Sequence, residues 1–430
     1  MSDFVLAKAT LPDDRVVDIK VVDGLIAEIG NGLSATEVID CTGLRALPGF
    51  VDLHTHLREP GFEQSETVLT GSQSAAVGGY TAVHAMANTQ PVADNAAVVE
   101  QVFTLGQKAG YVDVFPIGAV TKNLDGLQLA ELGSMHSSSA AVKVFSDDGK
   151  CVSDPLLMRR AMQYVAAFDG VIAQHAQEPR LTEGAQMNAG EISAKLGLAG
   201  WPAVAEESII ARDVLLAKSL DARLHICHLS TAGSVEIIRW AKSQGIKVTA
   251  EVTPHHLLLT DDLAESYDPV YKVNPPLRTK VDVQALREAL VDGTIDIVAT
   301  DHAPHPSEAK DCEWAAAAFG MVGLESAASV AQLVLVDSGK SNWARLAEVM
   351  SHAPARIAGD ETHGREITLG EPANLTLIDP SVSRAIEKQT SSKSQNNPYA
   401  GLHLPGAVKH TIFGGYFTVR DFELAEQGRH

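Results

Sequence analysis

The chain has only four cysteines in 430 residues, and Cys41, Cys151, Cys227 and Cys312 are scattered without Cys-x-x-Cys spacing. Such usage indicates neither a disulfide framework nor a thiolate zinc site. No apolar run reaches the roughly 20 residues that span a bilayer, and no basic-then-apolar stretch resembles a signal peptide. Basic side chains are outnumbered, 34 Lys and Arg against 54 Asp and Glu, for a formal net charge of −20. An acidic surface repels nucleic acid and anionic membranes, because like charges repel. It says little about a small substrate, whose binding depends on local charge. Hydrophobic residues make up 45% of the chain, ample for one large core, and the length alone allows two or three domains. These features together predict a cytoplasmic globular protein.

Both chain ends read as short strands. "VVDIKVVDGLIAEIG" (16–30) alternates around Asp23-Gly24, a pair suited to a two-residue hairpin turn. "ANLTLIDP" (373–380) and "HTIFGGYFTVRD" (410–421) return to that style, with Gly414-Gly415 as a turn. Chain termini often lie close together, so residues 1–48 and 363–430 are read as two parts of one small β-sandwich domain. The low-complexity stretch "KQTSSKSQNNPYAG" (388–401) reads as a solvated loop.

Residues 49–362 have a different texture, in which eight apolar runs alternate with helical patterns. The runs are "GFVDLHTH", "YTAVHAMAN", "DVFPIGAVT", "AAVKVFSDD", "GVIAQHAQE", "ARLHICHLS", "KVTAEVTPHH" and "IDIVATDHAPH". Helices are expected over 155–168 and 203–220, among others. Repeated strand-then-helix order with buried strands predicts a parallel α/β architecture, and eight repeats fit a (β/α)8 barrel better than an open doubly wound sheet.

Polar residues fall at the ends of these runs. His54 and His56 end the first, Asp147-Asp148-Gly149 the fourth, His175 the fifth, His228 the sixth, and Asp301 with His302 and His305 the eighth. In a parallel barrel the C-terminal strand ends gather at one mouth, where active sites are built. Residues i and i+2 of a strand point the same way, so His54 and His56 can grip one ion. Taken singly, a strand histidine is more often a hydrogen-bonded core residue, and Asp-Asp-Gly is usually a turn. Four histidines and two aspartates at corresponding ends of five strands lower that reading sharply. Imidazole and carboxylate ligands without thiolate suit zinc, with manganese or cobalt as substitutes. Six ligands are too many for one tetrahedral ion and suit two ions sharing a bridging ligand.

"GFVDLHTHLREPG", "MANTQPV", "FSDDG", "HICHLS", "EVTPHHLLL", "NPPLR" and "DIVATDHAPH" resemble the dihydroorotase family of the amidohydrolase superfamily, over about residues 48–325. The resemblance implies reversible cyclisation of N-carbamoyl-L-aspartate to L-dihydroorotate in pyrimidine synthesis, with two Zn2+ per subunit. It implies His54, His56 and Asp301 on one zinc and His175 and His228 on the other. The bridge is either Asp148, favoured by its spacing to His175, or a carboxylated Lys143. Asp301 is the implied catalytic acid and base. Arg58, Asn88 and His305 are implied partners of the substrate carboxylate. Asn274 with the backbone of Phe319 and Gly320 would surround the ring, and His56 would also touch it. Arg58 suits its task physically, since a planar guanidinium binds a carboxylate through two parallel hydrogen bonds. Residues 305–320 are expected to cover the substrate, although Ala318 replaces the more usual proline before Phe319-Gly320. His255, His256 and His302 fit either ligand-orienting or packing roles.

Two rival readings remain in the sequence. Hydantoinases, dihydropyrimidinases and allantoinases share the metal histidines but act on neutral rings, which give Arg58 no carboxylate. A non-catalytic scaffold for aspartate transcarbamoylase is the other, although every expected ligand is present here. The resemblance leaves open a homodimer and association with that enzyme.

Overall fold

The computed structural model describes residues 3–429. All eight apolar runs form strands: β1 (Phe50–Thr55), β2 (Tyr80–Ala85), β3 (Asp113–Pro116), β4 (Val144–Phe145), β5 (Val171–Gln174), β6 (Leu224–Ile226), β7 (Val248–Val252) and β8 (Ile297–Val298). Each pairs in parallel with the next, from β1 to β3 and from β4 to β8. Parallel contacts Gly118 to Phe145 and Thr55 to His302 join the two groups at both edges. The His56 N–H donates to the His302 carbonyl at 2.8 Å across the closing seam. The result is a closed parallel barrel, with no free edge to cap.

Every residue of β1 and β2 is buried. Helices cover the outside and side chains fill the inside, which is why these runs are apolar without alternation. Leu53, Val144, Val171, Ala173, Cys227, Ile297 and Ala299 share one buried cluster with Ile357 and Ala358. The helix expected at 155–168 runs from Pro155 to Val165 and tightens into a 3-10 turn over Ala166–Phe168. Its start is set by the Asp154 side chain, which accepts the Leu157 N–H, and by proline in the first turn. Leu157, Met158, Ala161, Met162 and Val165 make its buried stripe. The second expected helix spans Val204–Leu220.

Both chain ends meet in one nine-stranded sheet. Leu375–Ala385 pairs antiparallel with Arg45–Pro48, placing the C-terminal strands beside the segment that leads into β1. This sheet has its own core of Phe4, Leu6, Ile19, Ile26, Leu375, Leu377 and Ile412, among others. The Asp23-Gly24 hairpin is present, with φ of 49° and 80°. Positive φ at both central residues matches the twist of the flanking strands. Gly414 and Gly415 make the corresponding turn. The stretch 388–401 departs from expectation. It is irregular, but Ser392, Ser394, Asn396, Asn397 and Tyr399 are buried, so it is no solvated loop. Ser392, Ser394 and Asn396 find hydrogen-bond partners in Glu66, Ser65, Ala303 and Gly320 rather than in water.

Candidate active site

The C-terminal ends of β1, β4, β5, β6 and β8 bring all six expected ligand residues together. His54 and His56, at i and i+2 of the β1 end, point inward beside Asp301. His54 Nε2 lies 3.4 Å from Asp148 Oδ2 and 3.4 Å from Asp301 Oδ1. His56 Nε2 lies 3.3 Å from Asp148 Oδ2 and 3.0 Å from Asp301 Oδ1. On the other side of Asp148, Oδ1 sits 3.1 Å from His175 Nδ1 and 3.3 Å from His228 Nε2. Two ligand groups therefore overlap at Asp148, one with His54, His56 and Asp301 and one with His175 and His228.

The histidines are oriented from behind. Glu251 Oε1 accepts the Nδ1–H of His54 at 2.6 Å, Asn88 Oδ1 that of His56 at 2.9 Å, and Gln177 Oε1 the Nε2–H of His175 at 2.8 Å. An oxygen acceptor on one ring nitrogen fixes the proton there and leaves the opposite nitrogen as a lone pair. The lone pairs of His54 and His56 face both the Asp148 and Asp301 carboxylates, and that of His175 faces Asp148. His54 Nε2 is buried and has no hydrogen-bond partner. A buried imidazole nitrogen held unpaired between two carboxylates is a costly arrangement unless a cation sits among them. The donor set, nitrogen and carboxylate without sulfur, fits a divalent metal.

Charge tells the same story. Burial pushes the Asp148 carboxyl up, but the His54, His175 and His228 imidazoles outweigh it and hold the group well below the usual carboxylate range. Asp301 is also held low against burial by His54 and His56. Burial lowers His54, yet Asp148, Glu251 and Asp301 raise it well above its ordinary value. The two carboxylates thus demand positive charge at this point. Backbone strain marks the same strand ends, since His228 (φ 32°), Asp301 (φ 48°) and Arg58 (φ 63°) all occupy the left-handed region. Such conformations cost about 1–3 kcal/mol each and persist where surrounding structure enforces them.

Lys143 is elsewhere. It precedes β4, whereas Asp148 follows it, and its Nζ donates to the Gly359 carbonyl at 2.8 Å. The two candidates for the bridge therefore lie at opposite ends of one strand. Asp147, next to Asp148, turns away and accepts the Val120 and Thr121 N–H groups at 2.8 and 2.9 Å.

Arg58 lies just beyond β1. Its Nε donates to the Pro304 carbonyl at 3.2 Å, and its Nη2 lies 3.5 Å from His305 Nε2. Among the described residues no carboxylate oxygen comes within 4.0 Å of this guanidinium. Burial pulls its pKa down to about 10. Asn274 is placed beside the cluster through Gln177, whose Oε1 accepts its Nδ2–H at 3.1 Å, while its own Oδ1 is shielded and free. His305 has other engagements, since its Nε2–H is donated to the Phe319 carbonyl at 2.8 Å. The Gly320 carbonyl is held by Lys310 Nζ at 3.0 Å, and the Gly320 N–H donates to Lys272 at 3.0 Å. Both backbone positions expected around the ring are thus already engaged, by His305 and Lys310 of their own loop and by the Lys272 carbonyl. His256 and His302 have both ring nitrogens engaged, by Thr253 and Pro275 and by Gly323 and Glu66, respectively. His255 is buried, which lowers it to about 4, and its Nε2 has no partner.

Glu251 and Gln177 were not singled out in the sequence. Glu251 Oε2 also accepts from His225 Nε2 at 3.0 Å, and Oε1 from the His228 N–H at 3.1 Å, so one carboxylate braces residues of both ligand groups. A signal was present for each. Gln177 is at i+2 from His175, and Glu251 is a lone acid inside an apolar run.

A family profile described as dihydro-orotase-like matches residues 44–234. Among curated relatives, the dihydroorotase of Streptomyces coelicolor is 66% identical over 94% of this chain and 95% of its own length. That of Leifsonia xyli is 63% identical over 99% and 98%, and that of Mycobacterium tuberculosis 55% identical over 95% and 96%. The solved structure of an L-hydantoinase (dihydropyrimidinase) from Arthrobacter aurescens superposes with a TM-score of 0.88 at 28% identity, covering 99% of this chain and 98% of that one. The chain belongs to the dihydroorotase family of cyclic-amide hydrolases.

Proposed function

We propose that the protein interconverts L-dihydroorotate and N-carbamoyl-L-aspartate in pyrimidine biosynthesis, using two zinc ions per chain. His54, His56 and Asp301 would hold one ion, His175 and His228 the other, and Asp148 both. When bound, such ions supply acidified water and polarise the ring carbonyl. The remaining work belongs to side chains. In the hydrolytic direction, water adds to the ring amide carbon, Asp301 takes its proton, and the C–N bond breaks. Asp301 then delivers the proton to the departing nitrogen, and the new carboxyl group releases the water's second proton to solvent as it becomes a carboxylate. The biosynthetic direction retraces these steps and releases water. A group that both takes and gives a proton needs access to both protonation states. Asp301, whose Oδ1 lies 3.0 Å from His56 Nε2, sits where such exchange is possible.

One observation carries the choice of substrate: Arg58 offers a guanidinium without a carboxylate partner at the rim of the cluster. An unpaired, largely desolvated cation there favours a ring bearing an anion. Asn88 keeps His56 in place, and the free Asn274 Oδ1 can accept a ring N–H. His305 joins Arg58 on the substrate carboxylate when its ring N–H leaves the Phe319 carbonyl. The test is turnover of dihydroorotate against hydantoin, allantoin and dihydrouracil by zinc-loaded protein. Strong preference for dihydroorotate is expected, and Arg58→Ala should raise its KM by about tenfold or more. Preference for any of the neutral rings would overturn the reading.

A further inference from the structure

The stretch 388–401, buried at Ser392, Ser394 and residues 396–399, runs across the barrel mouth, and two of its ties there hold the loops around the site. Glu66, which follows β1, accepts the Lys393 N–H at 3.0 Å and the Ser392 hydroxyl. Asn396 is the second tie. Its Oδ1 accepts the His305 N–H at 3.1 Å, and its Nδ2 donates to the carbonyls of Ala303 at 2.9 Å and Gly320 at 3.1 Å. Its own carbonyl accepts the Val322 N–H at 3.1 Å. All these partners belong to the loop after β8, so one side chain clamps both ends of the 303–322 excursion.

The clamp closes around His305. The ring donates to the Phe319 carbonyl and is pressed against Gly320, where an added Cβ would lie 2.8 Å from it. Gly320 sits at φ 147°, a conformation that side chains rarely adopt. Asn396 and His305 also line one cavity of about 640 Å³, together with Lys393 and Lys310. The Asn396 side chain bonds to none of the six ligand residues.

We propose that Asn396 is a positioning residue for the substrate. By joining the Ala303, His305 and Gly320 backbones, it sets the His305 ring beside the Arg58 guanidinium and so determines how tightly a ring-borne carboxylate is held. This inference rests on the reading of Arg58 and His305 as the carboxylate site. Without the amide, the Ala303 carbonyl and the His305 N–H lose their partners, the Gly320 carbonyl keeps only Lys310 Nζ, and the loop slackens. Binding suffers while the reacting groups stay in place.

Kinetics of Asn396→Ala and Asn396→Asp test this in the zinc-loaded enzyme. The aspartate keeps the acceptor for His305 but loses both donations. The alanine variant should raise the KM for dihydroorotate about tenfold, and the aspartate variant less, with kcat within about threefold of wild type. Metal content and inhibition by dihydrouracil, the same ring without its carboxylate, should not change. In a His305→Ala background the further loss should be under about twofold, since the two act through one contact. An unchanged KM, full additivity with His305→Ala, or parallel loss of kcat and metal would overturn the proposal. Should the alanine variant not fold, the aspartate variant carries the same comparison. Wild-type protein without affinity for dihydroorotate would instead overturn the assignment of Arg58.

Discussion

The two ends of the barrel carry the same residue types and use them differently. At the C-terminal mouth, His54, His56 and His175 each give the outer ring nitrogen to Glu251, Asn88 or Gln177 and keep the inner one as a lone pair. At the N-terminal end, His363 engages both nitrogens, Nδ1 with Thr81 at 3.0 Å and Nε2 with Asp113 at 2.9 Å. Lys143 is likewise tied to the Gly359 carbonyl. Histidine, aspartate and lysine therefore mark no site by their presence. What separates the ends is convergence of unsatisfied atoms, since folded proteins rarely leave buried polar groups unpaired without a ligand in view.

This contrast can be broken by substitution, with the largest effect at the mouth. Asp301→Asn keeps the shape and removes proton transfer, so kcat should fall by about 10²–10⁴-fold, as for loss of a general acid or base. Steady-state kinetics on the metal-loaded variant measures it. Glu251→Gln comes next, because it removes the carboxylate behind His54 and the His228 backbone. Loss of such a supporting group costs about 10–100-fold in metal affinity or activity. Titration of metal-free protein with zinc against a competing chelator reads this directly, and wild-type affinity would show that Glu251 serves folding alone.

The smallest effect belongs to His84, on β2, which shares a cavity with Lys143 away from the ligands. Burial lowers it to about 4, and its Nδ1 donates to the Asp52 carbonyl at 3.1 Å. Because the folded pKa lies below the unfolded value of about 6.5, the unfolded chain takes up the proton first as pH falls. Stability contributed by neutral His84 is present above about 6.5 and is lost progressively toward pH 4. Between pH 7 and 5 the loss amounts to about 2 kcal/mol. Denaturant unfolding of wild type and His84→Phe at both pH values should show a shallower dependence in the variant, and equal slopes would exclude His84 as the source.

Much of this was legible in the sequence, for identifiable reasons. Strand ends are punctuated by polar residues after apolar runs, and i, i+2 parity put His54 and His56 on one side. Position put six candidate ligands at the strand ends, and the family resemblance favoured Asp148 over Lys143 as the bridge. Glu251 escaped because a single acid inside an apolar run carries no local pattern; its meaning comes from His54, 197 residues away. Residues 388–401 were misread because polar composition reports solvation only when no tertiary partner exists, and Glu66 and Ala303 supply such partners. Arg58 was legible as a candidate carboxylate binder, but not that the folded chain gives it the Pro304 carbonyl and no carboxylate.

We propose that Asp148, not Lys143, joins two cation sites at the mouth. Metal content per chain, measured after saturation with zinc and removal of the excess, tests it most directly. Two ions are expected in wild type and in Lys143→Ala, and at most one, weakly held, in Asp148→Ala. Two ions retained in Asp148→Ala, with loss in Lys143→Ala, would contradict the account.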